Sequence, residues 1–212
     1  MSDEAASRKR RSIAILQREG VPFIEHLPMI EDSTSAARRS PQEVALRAIA
    51  LGIVAEYALR GDHHFARDLV ERFSIRPSLS PAERMFIDEA QPTRAARAEY
   101  SWRYESFAVL MWALQHLEGL ARPDKPAEVE ALIGILATQG RDRFVGEARL
   151  RPLEEMLDQA DLVYRYAWAV RQAQLTGRPA PAALAPAAVL ERHRALGWLV
   201  GGEDWDEVST DT

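Results

Sequence analysis

The sequence twice places an arginine between aromatic residues. Arg103 lies in SWRYE, residues 101–105, and Arg165 lies in YRYAW, residues 164–168. A guanidinium group can hold a carboxylate in its planar fork while it stacks on an aromatic ring. Each arginine could therefore bind an anionic ligand or pair with an acidic side chain of the same protein. His193, in ERHRALGWL, could transfer a proton near neutral pH.

The second arginine lies on a charged stripe of a predicted helix. Asp161 precedes Arg165 by four residues, which is the favourable order of acid and base for an ion pair within a helix. Trp168 falls on the same stripe, and a tryptophan is unusual on a bare charged surface. This pattern indicates that part of the stripe is buried, and buried charges must be paired because an unpaired one is too costly.

We expect the two arginines to pair with Glu105, Asp158 or Asp161 between two long helices. The candidate ligand-binding residues are Trp102, Arg103, Glu105, Asp161, Arg165, Trp168 and His193. Two roles remain open for them. They could form an ion-pair cluster that fixes helix packing, which we favour, or they could line a pocket for a small anionic ligand or substrate.

Several kinds of chemistry lack the residues that they need. The chain has no cysteine, which excludes disulfides, thiolate catalysis and cysteine-based metal sites. It has no HExxH motif and no paired carboxylate and ExxH motifs, so we predict no metal site. It has no GxGxxG, Walker or GxSxG motif, so we predict no cofactor. No catalytic residue is assigned, and whether the protein is an enzyme stays open.

The elements that would position these residues are predicted to be helices. Two Ser-Pro-x-Glu motifs, at 40–43 and 80–83, combine a capping serine, a proline at the first helical position and a glutamate that completes a capping box. No stretch alternates with period two long enough for a strand. The helices are predicted at about 7–19, 41–59, 63–73, 81–89, 95–118, 127–138, 152–175 and 187–199.

The resulting prediction is an all-α fold, a single-domain bundle of about eight helices over residues 1–212. Residues 1–6 are expected to be disordered, and VPFIEHLPMI, residues 21–30, is expected to form an extended N-terminal segment. The C-terminal tail, residues 203–212, is expected to pack against the domain. Trp205 should then be buried, because a tryptophan side chain carries a large apolar area.

Charge and hydropathy restrict the partners. The net charge of −5 provides no general attraction for nucleic acid or for an anionic membrane. The basic run RKRR, residues 8–11, could bind nucleic acid, but one short run is typical of a solvated helix face. The most apolar run, residues 44–59, is too short to span a bilayer. No secretory signal is visible, so we expect a cytoplasmic protein with no membrane association.

Several stretches are similar to a known family. GVPFIEHLP, the WRYE and YRYAW boxes and the ending WDEVSTDT occur in order between about residue 8 and the end. They resemble bacterial proteins grouped as domain of unknown function 4272. The resemblance implies one fold unit that includes both boxes and the tail, and it implies no activity, substrate or cofactor.

We therefore expect a soluble accessory or protein-interaction module with an unidentified protein partner. By analogy with other small acidic proteins, that partner would be basic. The alternative is a protein that binds a small anionic ligand, or an enzyme, whose site is the set of seven residues above. A third and weaker alternative is nucleic-acid binding through residues 8–11. The sequence gives no oligomeric state.

Overall fold

The computed structural model describes residues 3–210, and all the regular secondary structure in that range is helical, which confirms the all-α prediction. Two short 3-10 turns, Arg76–Ser78 and Pro181–Ala183, accompany the α-helices. The α-helices are α1 Asp3–Glu19, α2 Pro41–Arg60, α3 His63–Arg72, α4 Pro81–Asp88, α5 Arg94–Ser101, α6 Arg103–Ala113, α7 Glu130–Gly146, α8 Leu153–Leu175 and α9 Pro186–Val200.

Local capping signals determine where α2 and α4 begin. The Ser40 hydroxyl accepts the N–H of Glu43 at 3.2 Å, and the Glu43 carboxylate accepts the N–H of Ser40 at 2.8 Å. Ser80 and Glu83 repeat this reciprocal pair at 3.2 and 3.0 Å. α2 ends at Gly61, whose φ of 70° is the left-handed conformation that glycine adopts without a steric penalty. These starts and this end agree with the prediction.

Two of the predicted helices differ in extent from the structure. The helix expected over 95–118 is interrupted at Trp102, which ends α5 and begins α6. α6 stops at Ala113 because Gln115 takes a left-handed φ of 68° and its side-chain amide donates to the carbonyl of Leu150 at 3.1 Å. α7 starts and ends later than the expected 127–138, and Gly140 breaks its geometry with a φ of 68°.

The N-terminus also differs from the expectation. Disorder was expected over residues 1–6, whereas α1 begins at Asp3. Residues 1 and 2 lie outside the described part of the chain.

The core is built around α2, which is buried along most of its length. It contacts α3, α5, α6 and α7, while α9 packs between α6 and α8. Within residues 3–210, no helix is both long and apolar enough to cross a membrane.

The basic run of α1 is used inside the fold. Arg8 is 1 % exposed; it pairs with Glu4, and it donates to the Asp158 carboxylate of α8 at 3.3 Å. Arg11 donates to the same carboxylate at 2.5 Å, and Lys9 donates to a carbonyl of the extended segment at 2.9 Å. Three residues of the basic run, Arg8, Lys9 and Arg11, therefore tie α1 to its neighbours, whereas Arg10 is exposed and meets only Asp3 of the same helix.

The C-terminal tail contacts α2, α4 and α9. Trp205, whose burial was predicted, is 4 % exposed and meets Trp198 edge to face at 5.7 Å between ring centroids. The guanidinium of Arg47 lies 4.6 Å from the Trp205 ring centroid. The Asp206 carboxylate accepts the N–H of Ala82, in the first turn of α4, at 3.0 Å. Aromatic, cation–π and hydrogen-bond contacts thus hold the tail.

Candidate functional site

Two buried ion pairs join α6 to α9. Arg103 of α6 donates to the Glu191 carboxylate of α9, and Arg192 of α9 donates from Nε to Glu105 of α6 at 2.8 Å. The Ser106 hydroxyl adds a bond of 2.9 Å to Glu191. Each helix supplies one acid and one base, so the two pairs run in opposite directions. This arrangement specifies the register of α6 against α9, because a shift would bring like charges together.

The Glu105 carboxylate is satisfied on both oxygens. The oxygen that does not meet Arg192 accepts the N–H of Ala127 at 2.6 Å. Arg192 also donates to the carbonyl of Ala121. Both partners of the pair are buried, at 2 % and 3 % exposure. The pair therefore holds the connection between α6 and α7 as well as the two helices.

A separate pair lies within α8. Arg165 donates to both oxygens of Asp161, from Nε at 2.9 Å and from Nη2 at 2.7 Å. Both side chains are 1 % exposed. The predicted pairing of these two residues is thus present, and it is buried. The remaining guanidinium nitrogen, Nη1, has no hydrogen-bond partner among the described residues.

The three remaining candidate residues, Trp102, Trp168 and His193, lie outside these ion pairs. Trp102 and Trp168 are half-buried. His193 packs against the ring of Tyr164, with 5.6 Å between ring centroids. Burial, together with the charge of Arg171, lowers the pKa of His193 to about 4. The imidazole is neutral at pH 7, and this pKa is too low for efficient proton transfer at that pH.

The pairing pattern differs from the expected one at Arg103, Glu105 and Asp158, and Glu105 pairs with Arg192. Arg103 was expected to use Glu105, Asp158 or Asp161, but it pairs with Glu191. Residues two apart on a helix, such as Arg103 and Glu105, do not face each other. Asp158 instead forms ion pairs with Arg8 and Arg11 of α1.

Sequence reasoning missed Arg192. Its signal was the helical spacing that places it on the same face as the buried residues Ala188, Ala195 and Leu196. A charged residue on an apolar stripe is a candidate for a buried pair.

The seven candidate residues lie away from the four clefts considered in the described part of the chain, and none of them lines any of these clefts. Among residues 3–210 there is also no group of three or more His, Asp or Glu side chains suited to a metal ion. The charged residues of the WRYE and YRYAW boxes therefore pair with other side chains of the same chain.

A cleft of about 430 Å³ lies instead beside the C-terminal tail, and we call it the tail cleft. Trp198 and Trp205 form part of its wall. Its charged lining residues are Arg39, Glu43, Arg47, Asp204, Asp206 and Glu207.

The basic residues of the tail cleft are already engaged. Arg47 pairs with the buried Glu83. Arg39 stacks over Trp198 at 4.5 Å and donates to that residue's carbonyl at 3.0 Å. By contrast, the exposed carboxylates of Asp204 and Glu207 have no hydrogen bond or ion pair within residues 3–210. The free charges of the tail cleft are therefore acidic.

A family model described as "Domain of unknown function (DUF4272)" matches residues 8–208. No curated protein and no solved structure match this chain.

Proposed function

The chain belongs to the DUF4272 family, whose description names no reaction, and from that premise we propose that it is a protein-interaction module that binds a basic partner through the tail cleft. The observation that carries the proposal is the pair of free carboxylates, Asp204 and Glu207, beside Trp198 and Trp205.

The buried ion pairs support a non-catalytic role. Arg103, Glu105 and Arg165 are each at most 4 % exposed and bound to partners within the chain. A reacting group must reach its substrate, and these groups are enclosed. This enclosure favours binding through a surface over the alternative of a small-ligand site or active site at the WRYE and YRYAW boxes.

The charge of the tail cleft favours a basic partner. Its carboxylates outnumber its guanidinium groups four to two, and one of the two guanidinium groups, Arg47, is already neutralised by Glu83. Lysine or arginine side chains of a partner would meet Asp204 and Glu207 at the rim. Complementary charges at a rim accelerate association and select the partner.

The aromatic wall shapes the cleft rather than supplying contact area. Trp198 and Trp205 are only 6 % and 4 % exposed, so a partner would bind mainly through the charges at the rim. The cleft volume lies near the lower end of the range for ligand sites, roughly 300–1,000 Å³. It would hold a side chain or a short stretch of a partner, with the remaining contact made by the surrounding surface.

The test measures binding of a polylysine peptide to the full chain by isothermal titration calorimetry at low salt. We expect binding that weakens with added salt and that the double variant Asp204→Asn, Glu207→Gln reduces about two- to thirtyfold, since each rim charge contributes roughly 0.2–1 kcal/mol. The matched control, Asp68→Asn with Glu71→Gln, makes the same charge change on the exposed face of α3. Equal loss in both double variants, or no binding of polylysine, would refute the proposal.

A further inference from the structure

A second cleft, of the opposite charge, lies beside the first, and Arg39 lines both. This arginine cleft has a volume of about 290 Å³. Its cations are Arg38, Arg39 and Arg151, and no acidic residue lines it. Leu150, Met156 and Leu199 are among its apolar lining residues.

The positive charge of the arginine cleft is only partly neutralised. Arg38 is exposed and has no hydrogen bond or ion pair within residues 3–210. Arg39 donates to two backbone carbonyls, and it interacts electrostatically with the Glu43 carboxylate, which lines only the tail cleft. Arg151 also donates to carbonyls, and it meets one carboxylate, that of the half-exposed Glu155, at 3.2 Å. In a chain of net charge −5 this is a local excess of cations.

The apolar side chains give the cleft a second property. Met156 and Leu199 are buried, at 5 % and 1 % exposure, and Leu150 is half-buried. Leu150 therefore offers more apolar surface than Met156 or Leu199, and that surface gains free energy when a hydrocarbon group covers it. A guanidinium fork at the rim matches the two oxygens of a carboxylate. One ligand that satisfies both is a small molecule with an anionic head and a short hydrocarbon body.

We propose that the arginine cleft binds a small amphipathic carboxylate. The carboxylate lies against Arg38, which has all its donors available, and the hydrocarbon chain lies on Leu150, beside the buried Met156 and Leu199. The volume fits a short chain rather than a long-chain lipid, since it lies at the lower limit of small-molecule sites, about 300 Å³. This site does not depend on a basic partner at the tail cleft, so either proposal can fail alone.

The test is isothermal titration calorimetry of the full chain with octanoate. We expect saturable binding, and we expect Arg38→Gln to weaken it about tenfold, the loss of one hydrogen bond to a charged group. The matched control is Arg149→Gln, which removes the same charge from an exposed residue that does not line the cleft. It should leave the affinity unchanged. The methyl resonance of Met156 should shift as octanoate is added.

Two further ligands separate the parts of the proposal. Octanol keeps the hydrocarbon and removes the charge, and sulfate keeps the charge and removes the hydrocarbon. Weaker binding of both than of octanoate supports the site. Equal binding of octanol would show that the arginines do not contribute, and equal binding of sulfate would show a mere cationic patch. Absence of saturable octanoate binding, or equal effects of the two arginine variants, would overturn the proposal.

Discussion

The pair of Asp161 and Arg165 allows a sharp test of whether the buried charges are structural. The change Asp161→Asn keeps the shape of the side chain and removes its charge. Arg165 would then be a buried cation without a counter-charge, since both of its side-chain hydrogen bonds to described residues go to Asp161 and both side chains are 1 % exposed. We expect a large loss of stability in a protein that still folds.

The magnitude follows from the burial. Breaking a buried ion pair by removing one partner costs roughly 3–5 kcal/mol. In a chain of this length each kcal/mol lowers the melting temperature by about 2–4 °C, so the expected decrease is about 6–20 °C. The double change Asp161→Leu with Arg165→Met removes both charges together. It should recover most of the loss, because apolar replacements of buried pairs are often neutral or stabilising.

The assay is urea unfolding followed by circular dichroism, with thermal melting as a second readout. The chain contains its own control in the pair of Arg143 and Glu147, which is also four residues apart, at the C-terminal end of α7, but is 65 % and 63 % exposed. Glu147→Gln should cost no more than about 1 kcal/mol. A similar small cost for Asp161→Asn would refute the reasoning, because it would mean that Arg165 is hydrated rather than buried.

Two further predictions concern the C-terminal half. Burial lowers the pKa of His193 to about 4 in the folded chain, so the unfolded chain binds a proton at this residue first as the pH falls. Protonation of the unfolded chain should therefore lower the free energy of unfolding by about 2–3 kcal/mol between pH 7 and roughly pH 4.5. Urea titrations of His193→Gln should show a correspondingly smaller loss, and an identical pH profile would contradict the assignment. Truncation after Gly202 removes the buried Trp205 and should lower the melting temperature by about 6–20 °C, from roughly 3–5 kcal/mol of lost packing. A melting curve that stays unchanged would show that the tail contributes no stability.

Features set by neighbours in sequence were predictable. Ser40 with Glu43, and Ser80 with Glu83, start helices through contacts three residues apart, and Asp161 meets Arg165 across one helical turn. Each depends on local geometry that the residue order already contains. The same is true of α3 and α8, whose ends lie within one residue of the predicted ones.

Features set by packing between distant segments were not predictable. The end of α6 depends on residues 150–151, and the partner of Arg103 lies 88 residues further along the chain. A sequence pattern indicates that such charges need partners, but the choice of partner follows from which helices become neighbours. The tail cleft and the arginine cleft are each lined by residues from several elements, so no continuous sequence motif marks either of them.

The attachment of α1 to α8 has a consequence for the order in which the chain can fold. Arg8 meets Asp158, 150 residues later, and Glu19 meets Tyr166, 147 residues later. At a synthesis rate of roughly 5–20 residues per second, the partners of α1 emerge from the ribosome about 8–30 s after it. During that time Leu16, fully buried in the finished protein, has no completed surface to pack on. α1 is therefore made well before α8 and reaches its contacts with α8 late in the synthesis of this domain.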